Sequence, residues 1–421
     1  MEVVRRMLKI PYGESSFAFI RNKNYLYIDK TRFISDLETM NKVIHLRPRR
    51  FGKSLFVTML ESYYDVAKAD QFDALFKGLS IYENPTESKN NYYVLHLDFS
   101  GIATENVQQV LDGFRIKVRD GIKLFLGYYR LDIQCDFEDK PAAILSSLLT
   151  AFAELELEHK ICILIDEYDH FTNAVLSNGL DDFMSLVRRG GVVRSFYEVI
   201  KEGCKRDLIG RFFITGVMSV SLDSMTSGFN IASNLTTDET FTDMMGFTAE
   251  EAKSVLRTTL QNIKNEAVTL DESEQAEIYE IWKQNYNGYL FSKKSDVKVF
   301  NSTLIMYYLQ NYINKKEHPE SLVDPNLNQS GSTIKQLAEL KNRESNYEIV
   351  KEIVDARVVS GKLSTFIDID KKYDQDDFIT LLFNIGLLTI KEAGAWTKFE
   401  IPNKIIETIY LHYLSELEHE R

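Results

Sequence analysis

Between residues 43 and 63 three patterns follow one another without a gap. Val43-Ile44-His45-Leu46 is a short apolar run of strand type, RPRRFGKS comes next, and Leu55, Met59, Leu60 and Tyr63 then recur at helical spacing. Strand, loop and helix in that order constrain the fold severely. Several loop N–H groups converge at the helix N-terminus, which makes a concavity for an anion. Gly52 permits close approach, Lys53 reaches the β- and γ-phosphates, and Ser54 offers a hydroxyl to Mg²⁺. This is the latter half of a Walker A loop. The full pattern GxxxxGK[ST] asks for glycine where Arg47 stands, so taken alone the loop is a weak signal.

A second element strengthens it. ICILIDEYD (161–169) is a continuous apolar run ending in Asp166-Glu167, as expected of a Walker B strand buried on both faces. Phosphoryl transfer wants one carboxylate there for Mg²⁺ and a second to orient the attacking water. RFFITGVMSV (211–220) reads as a further strand and brings Thr215 to the same sheet edge, where a γ-phosphate sensor would sit; a strand-end threonine packing by its methyl is the plainer alternative. Arg47, Arg49 and Arg50 pair either with phosphate or with neighbouring carboxylates. His170 is read as a surface residue and Cys162 as a core hydrophobe.

The surrounding text supports one sheet with helices on both sides. A strand at 93–99 and helices at about 104–126, 141–158 and 192–206 alternate with the strands above. After about 245 strands are not expected: 248–262, 271–286, 301–314 and 332–354 read as helices, and 324–333 as loop. From 363 a helix at 375–385, a strand, the EAGA turn (392–395), a partner strand WTKFEI and a helix after Pro402-Asn403 follow the order of a winged helix. The expected fold is therefore α/β, a P-loop NTPase core with a parallel sheet flanked by helices. The expected domains are 1–245, a helical lid at 246–362 and a winged-helix-like module at 363–421.

Composition removes other classes. Across 421 residues, 26 Phe and 22 Tyr supply ample core, and a net charge of −12 disfavours a globally basic nucleic-acid binder. Three scattered cysteines fit a reducing compartment and no zinc site. The N-terminus lacks the apolar stretch of a signal peptide, and the uncharged run at 142–153 is short of the ~20 residues that span a bilayer. A cytoplasmic protein without membrane contact is expected. From Asp374 to Arg421 four positive side chains face nine negative ones, so the last module is expected to pack on the core or meet a protein rather than DNA.

IPYGESSFAFIR (10–21), YLYIDKTRFISDL (25–37), LRPRRFGKSLFVTML (46–60), ILIDEYD (163–169), FFITGV (212–217) and MGFTAEEAKSVL (245–256) together resemble the predicted AAA-ATPase-like family of bacterial proteins. The match in order and spacing covers roughly residues 8–320. Members share the arginine-rich loop without the first glycine. The resemblance implies ATP binding through Arg49, Arg50, Phe51, Gly52, Lys53 and Ser54, with Leu55 at the loop's exit. It implies Mg²⁺ at Ser54 and Asp166 and a catalytic role for Glu167; Lys53 and Thr215 are the further catalytic candidates, read from the loop and the strand at 211–220 rather than from the resemblance. Tyr27, Asp29 and Lys30 would lie near the adenine. Two departures stand out: YNGYLFS (286–292) has Leu290 where the family has arginine, and no D…ExK pattern of the family's C-terminal PD-(D/E)XK nuclease-like domain is found before residue 421. The expected function is ATP hydrolysis with Mg²⁺, a hydrolase reaction driving movement of the attached modules. The alternatives are a slow or non-hydrolysing nucleotide switch or scaffold, and a nucleic-acid-associated defence or mobile-element protein. A protein partner or self-association is expected in either case.

Overall fold

The structure, a computed structural model, describes residues 8–103, 105–170, 191–218, 231–264, 272–325, 334–335, 337–338, 343–364 and 374–420. Five strands form a parallel sheet: β1 (Lys42–Leu46), β2 (Tyr92–Asp98), β3 (Lys160–Asp166), β4 (Ile209–Gly216) and β5 (Ser233–Asn234), in the spatial order β2-β3-β4-β1-β5. The apolar runs seen in the sequence are its central strands, and Ile161 to Ile165 of β3 are all buried, as helices on both faces require. Because every strand runs the same way, Leu46, Asp98, Asp166 and Gly216 reach one edge together. Asp98 pairs with Asp166 in register, and Leu46 with Gly216. In open α/β sheets that edge is where ligands settle.

Around the sheet lie α1 (Lys53–Tyr64), α2 (Val107–Tyr129), α3 (Pro141–Glu154) and α4 (Val192–Lys205). Helix α2 shows why such a long helix is stable. Val110, Phe114, Val118, Ile122 and Phe125 recur every three or four residues and bury one stripe, and Asn106 caps the first turn by accepting from Gln109 N at 3.0 Å.

Next come α5 (Ala249–Lys264), α6 (Glu272–Asn285) and α7 (Ser302–Lys315), built around Trp282, Tyr286 and Tyr308. Ile10 and Leu26 join this second core, so the segment before β1 is packed into the helical body. The expectation that strands end near 245 is corrected. Antiparallel bridges tie Phe247 to Phe300 and Tyr289 to Val299, and β6 (Val358–Gly361) forms after α8 (Arg343–Ala356). Four residues carry too little periodicity to be distinguished from the end of the preceding helix. Much of the loop expected at 324–333 and the first part of the helix expected at 332–354 lie outside the described residues.

Strand β6 pairs antiparallel with β8 (Thr397–Glu400), which pairs with β7 (Thr389–Glu392), making a small sheet with α9 (Gln375–Asn384) and α10 (Lys404–Glu420) beside it. Asp374 starts α9 through a capping box with Asp377. This unit is not held at arm's length. Phe378, Leu381, Phe399 and Tyr410 belong to the same continuous core as the main sheet. Among the described residues no helix is long and apolar enough to cross a membrane.

Candidate functional site

At the sheet edge α1 begins on Gly52, whose φ of +89° is left-handed, a conformation glycine takes without steric cost. A cleft of about 510 Å³ opens there, within the usual size range of small-ligand sites. Its lining includes the loop, Arg49 to Ser54, with Leu55 behind it. Glu167 and His170 line the same cleft. Pro11, Leu26, Met244, Met245, Phe247 and Met306 add an apolar part to the lining. Ser302 and Thr303 of α7 close the side, where Thr303 N donates to Arg50 O at 3.3 Å.

The three arginines separate. Arg47 is buried and turns away from the cleft. Its guanidinium donates to the carbonyls of Leu46, Thr236 and Phe241 at 2.7–2.9 Å and lies over the Phe291 ring at 4.2 Å. The residue that replaces the first loop glycine thus ties the loop's base to the segment after β5. Arg50, at φ +70°, forms an ion pair with buried Asp324 at 2.7 Å, and Tyr12 also donates to that carboxylate. Only Arg49 is exposed at the cleft. Phe51 is buried edge-on against Tyr289 and Phe291, so its backbone rather than its ring is what the loop presents.

Lys53 is buried, and its ammonium donates to the carbonyls of Arg47 and Pro48 at 3.1 and 3.0 Å. Burial lowers its pKa, while the carboxylates of Asp166, Glu167 and Asp169 act to hold the charge. Asp166 is buried at the end of β3 beside the Ser54 hydroxyl. Burial raises its pKa against the pull of the Ser54 hydrogen bond and Lys53. Glu167 takes a left-handed turn, φ +50°, and its carboxylate meets His170 Nδ1 at 3.0 Å, a bond that holds its pKa below the usual range. Ser54 and Asp166 are hard oxygen donors, the chemistry Mg²⁺ selects.

Other expected residues fall elsewhere. Thr215 does not reach the cleft: it is fully buried and donates to the His45 carbonyl at 2.8 Å across the β1–β4 pair. Tyr27 and Lys30 do line the cleft, but Lys30 is bound to both Glu251 oxygens at 2.7 Å. Asp29 instead binds Thr31 and Ser80. Leu290 is buried, its N–H donating to Thr389 Oγ1 at 2.7 Å, and it does not line the cleft. His170, read as a surface residue, is a cleft residue. Its place one turn after Glu167, the two joined by His170 N to Glu167 O at 3.0 Å, was the available signal.

The parallel sheet and the loop at its edge define a nucleotide-binding P-loop class. The family model described as predicted AAA-ATPase matches residues 11–226, and the chain belongs to that family. An uncharacterized protein in the vnfD 5′ region of Azotobacter chroococcum mcd 1 is 27% identical over 300 residues, 70% of this chain and 51% of that protein. The chain thus spans about half the length of that curated relative. The Aeropyrum pernix ORC2 protein, solved as ADPNP–ADP complexes, aligns over 99% of this chain and 97% of its own at 12% identity and a TM-score of 0.39, too loose a likeness to extend anything from it.

Proposed function

We propose that the chain binds ATP with Mg²⁺ in this cleft and hydrolyses it, the cycle moving the helical lid at 246–362 and the winged-helix-like module at 363–421 against the core. The observation that carries this reading is the meeting of five residues at one sheet edge: a left-handed Gly52 opening α1, Lys53 at its first turn, and Ser54 facing Asp166, with Glu167 beside them. Backbone N–H groups and Lys53 would cradle the phosphates, and exposed Arg49 would add charge at the γ end. Ser54 and Asp166 would hold Mg²⁺, which supplies neutralisation of phosphate charge. Glu167 would orient the attacking water and take its proton. The apolar part of the lining would take a purine.

One observation favours the second reading, a slow switch that holds ATP: the Glu167 carboxylate is engaged by His170 rather than free for water. Turnover separates the two. Glu167→Gln should keep ATP affinity and lose about 10²–10⁴-fold in kcat. Lys53→Ala should weaken ATP binding about tenfold or more, roughly 1.4 kcal/mol per decade. Both are measured by calorimetry and steady-state phosphate release. Parent turnover at background would leave the switch; a Glu167→Gln protein as active as its parent would remove Glu167 from the role.

A further inference from the structure

Glu167 is a non-glycine residue in a left-handed turn, and such a conformation persists only when its surroundings over-determine it. On its N-terminal side Asp166 is held in the sheet, with Phe99 N donating to its carbonyl at 3.1 Å. On its C-terminal side the chain is tied to the exit of β4. Tyr168 N donates to Thr215 O at 3.2 Å, and the Tyr168 hydroxyl donates to Met218 O. The strongest tie is Asp169. Its carboxylate is buried and accepts from Val217 N with both oxygens, at 3.0 and 3.1 Å, and from Met218 N at 2.6 Å. Space for it exists because residue 216 is glycine: a Cβ there would lie 2.2 Å from Asp169 Oδ1.

A buried carboxylate whose bonds are to two consecutive backbone N–H groups works as a clip between two loops. We propose that Asp169 is a positioning residue for hydrolysis: by clamping the exit of β4 it keeps the turn at 167 left-handed and so holds the Glu167 carboxylate in the cleft. Without the clip the turn can relax to an ordinary conformation, which re-aims Glu167 while leaving the phosphate loop intact. This rests on the reading of Glu167 as the hydrolytic base.

The test uses the full chain with MgATP. Asp169→Asn keeps the size of the side chain but sets an amide N–H against an amide N–H. It should lower kcat by about 10²-fold, the scale of a small misplacement of a catalytic group, with ATP affinity close to parental. Gly216→Ala, whose Cβ would meet the Asp169 carboxylate at 2.2 Å and the Tyr168 ring at 2.5 Å and so disturbs both ties to the exit of β4, should act in the same direction. It stands in if Asp169→Asn does not fold by thermal unfolding. In the Glu167→Gln background either change should cost little further turnover, because both act through one group. Parental turnover of the variants, an equal loss in both backgrounds, or lost ATP affinity at unchanged kcat overturns the clip and leaves the hydrolysis reading standing. A parent without turnover overturns both.

Discussion

Three arginines within four positions of one loop have three different surroundings, and burial decides which meets a ligand. Arg47 satisfies backbone carbonyls inside the protein, Arg50 is paired with Asp324, and Arg49 is exposed beside Lys53. Thr215 shows the same rule from the opposite side. A hydroxyl already donated to a buried carbonyl has no spare proton for a phosphate oxygen. Thr215→Val should therefore cost stability of about 1 kcal/mol, the usual worth of one internal hydrogen bond, and leave turnover near parental. A large drop in kcat with unchanged melting temperature would restore it as a sensor.

At the level of elements, α1 and β2 are joined by a charged pair behind the loop. Glu61 of α1 meets His96 Nδ1 of β2 at 2.9 Å and Lys68 at 2.6 Å. Burial alone would raise the Glu61 pKa, but the His96 hydrogen bond and the Lys68 charge bring it down to about 2. Burial likewise opposes charge on His96, and Glu61, with Asp166 and Asp98, outweighs it and raises the imidazole above its usual 6.5. The two signs differ. The Glu61 contribution is present above the ordinary carboxylate pKa and is lost as pH falls towards about 2. The His96 contribution is present below 6.5 and is lost as pH climbs through the raised folded value. Melting temperature should thus decline as pH climbs above 6.5, and His96→Gln should flatten that decline. An identical slope in the variant would dissociate the pair from stability.

For the whole molecule, the decisive feature is that the small C-terminal sheet is built onto the loop rather than hung beyond a lid. Phe291 lies under Arg47 at 4.2 Å, beside Phe51 at 5.5 Å, and against Phe383 of α9 at 6.1 Å. Leu290 is bonded to Thr389 of β7 on the same line. A shift of the loop is thereby a shift of the module's footing. Phe291→Ala should destabilise the protein by about 3–5 kcal/mol, the range for a deleted core ring, and weaken ATP binding because Arg47 and Phe51 lose their support. Unchanged affinity in a folded variant would show that the loop stands without the module.

What the sequence determined by itself was local. A β-branched run before RPRRFGKS, a glycine at a helix start and two carboxylates closing an apolar strand each depend on a few neighbouring residues, and each is found where it was read. The tertiary structure decided the rest. The Tyr12 bond to Asp324 joins residues 312 apart, and the Arg47 bonds to Thr236 and Phe241 span 189 and 194. The turning inward of Arg47, the arrival of His170 at the cleft and the docking of the N-terminal segment on the helical body all depend on such distant partners. Periodicity reports which face of an element is apolar, but not which distant element will cover it, because that choice belongs to the packing of the complete chain.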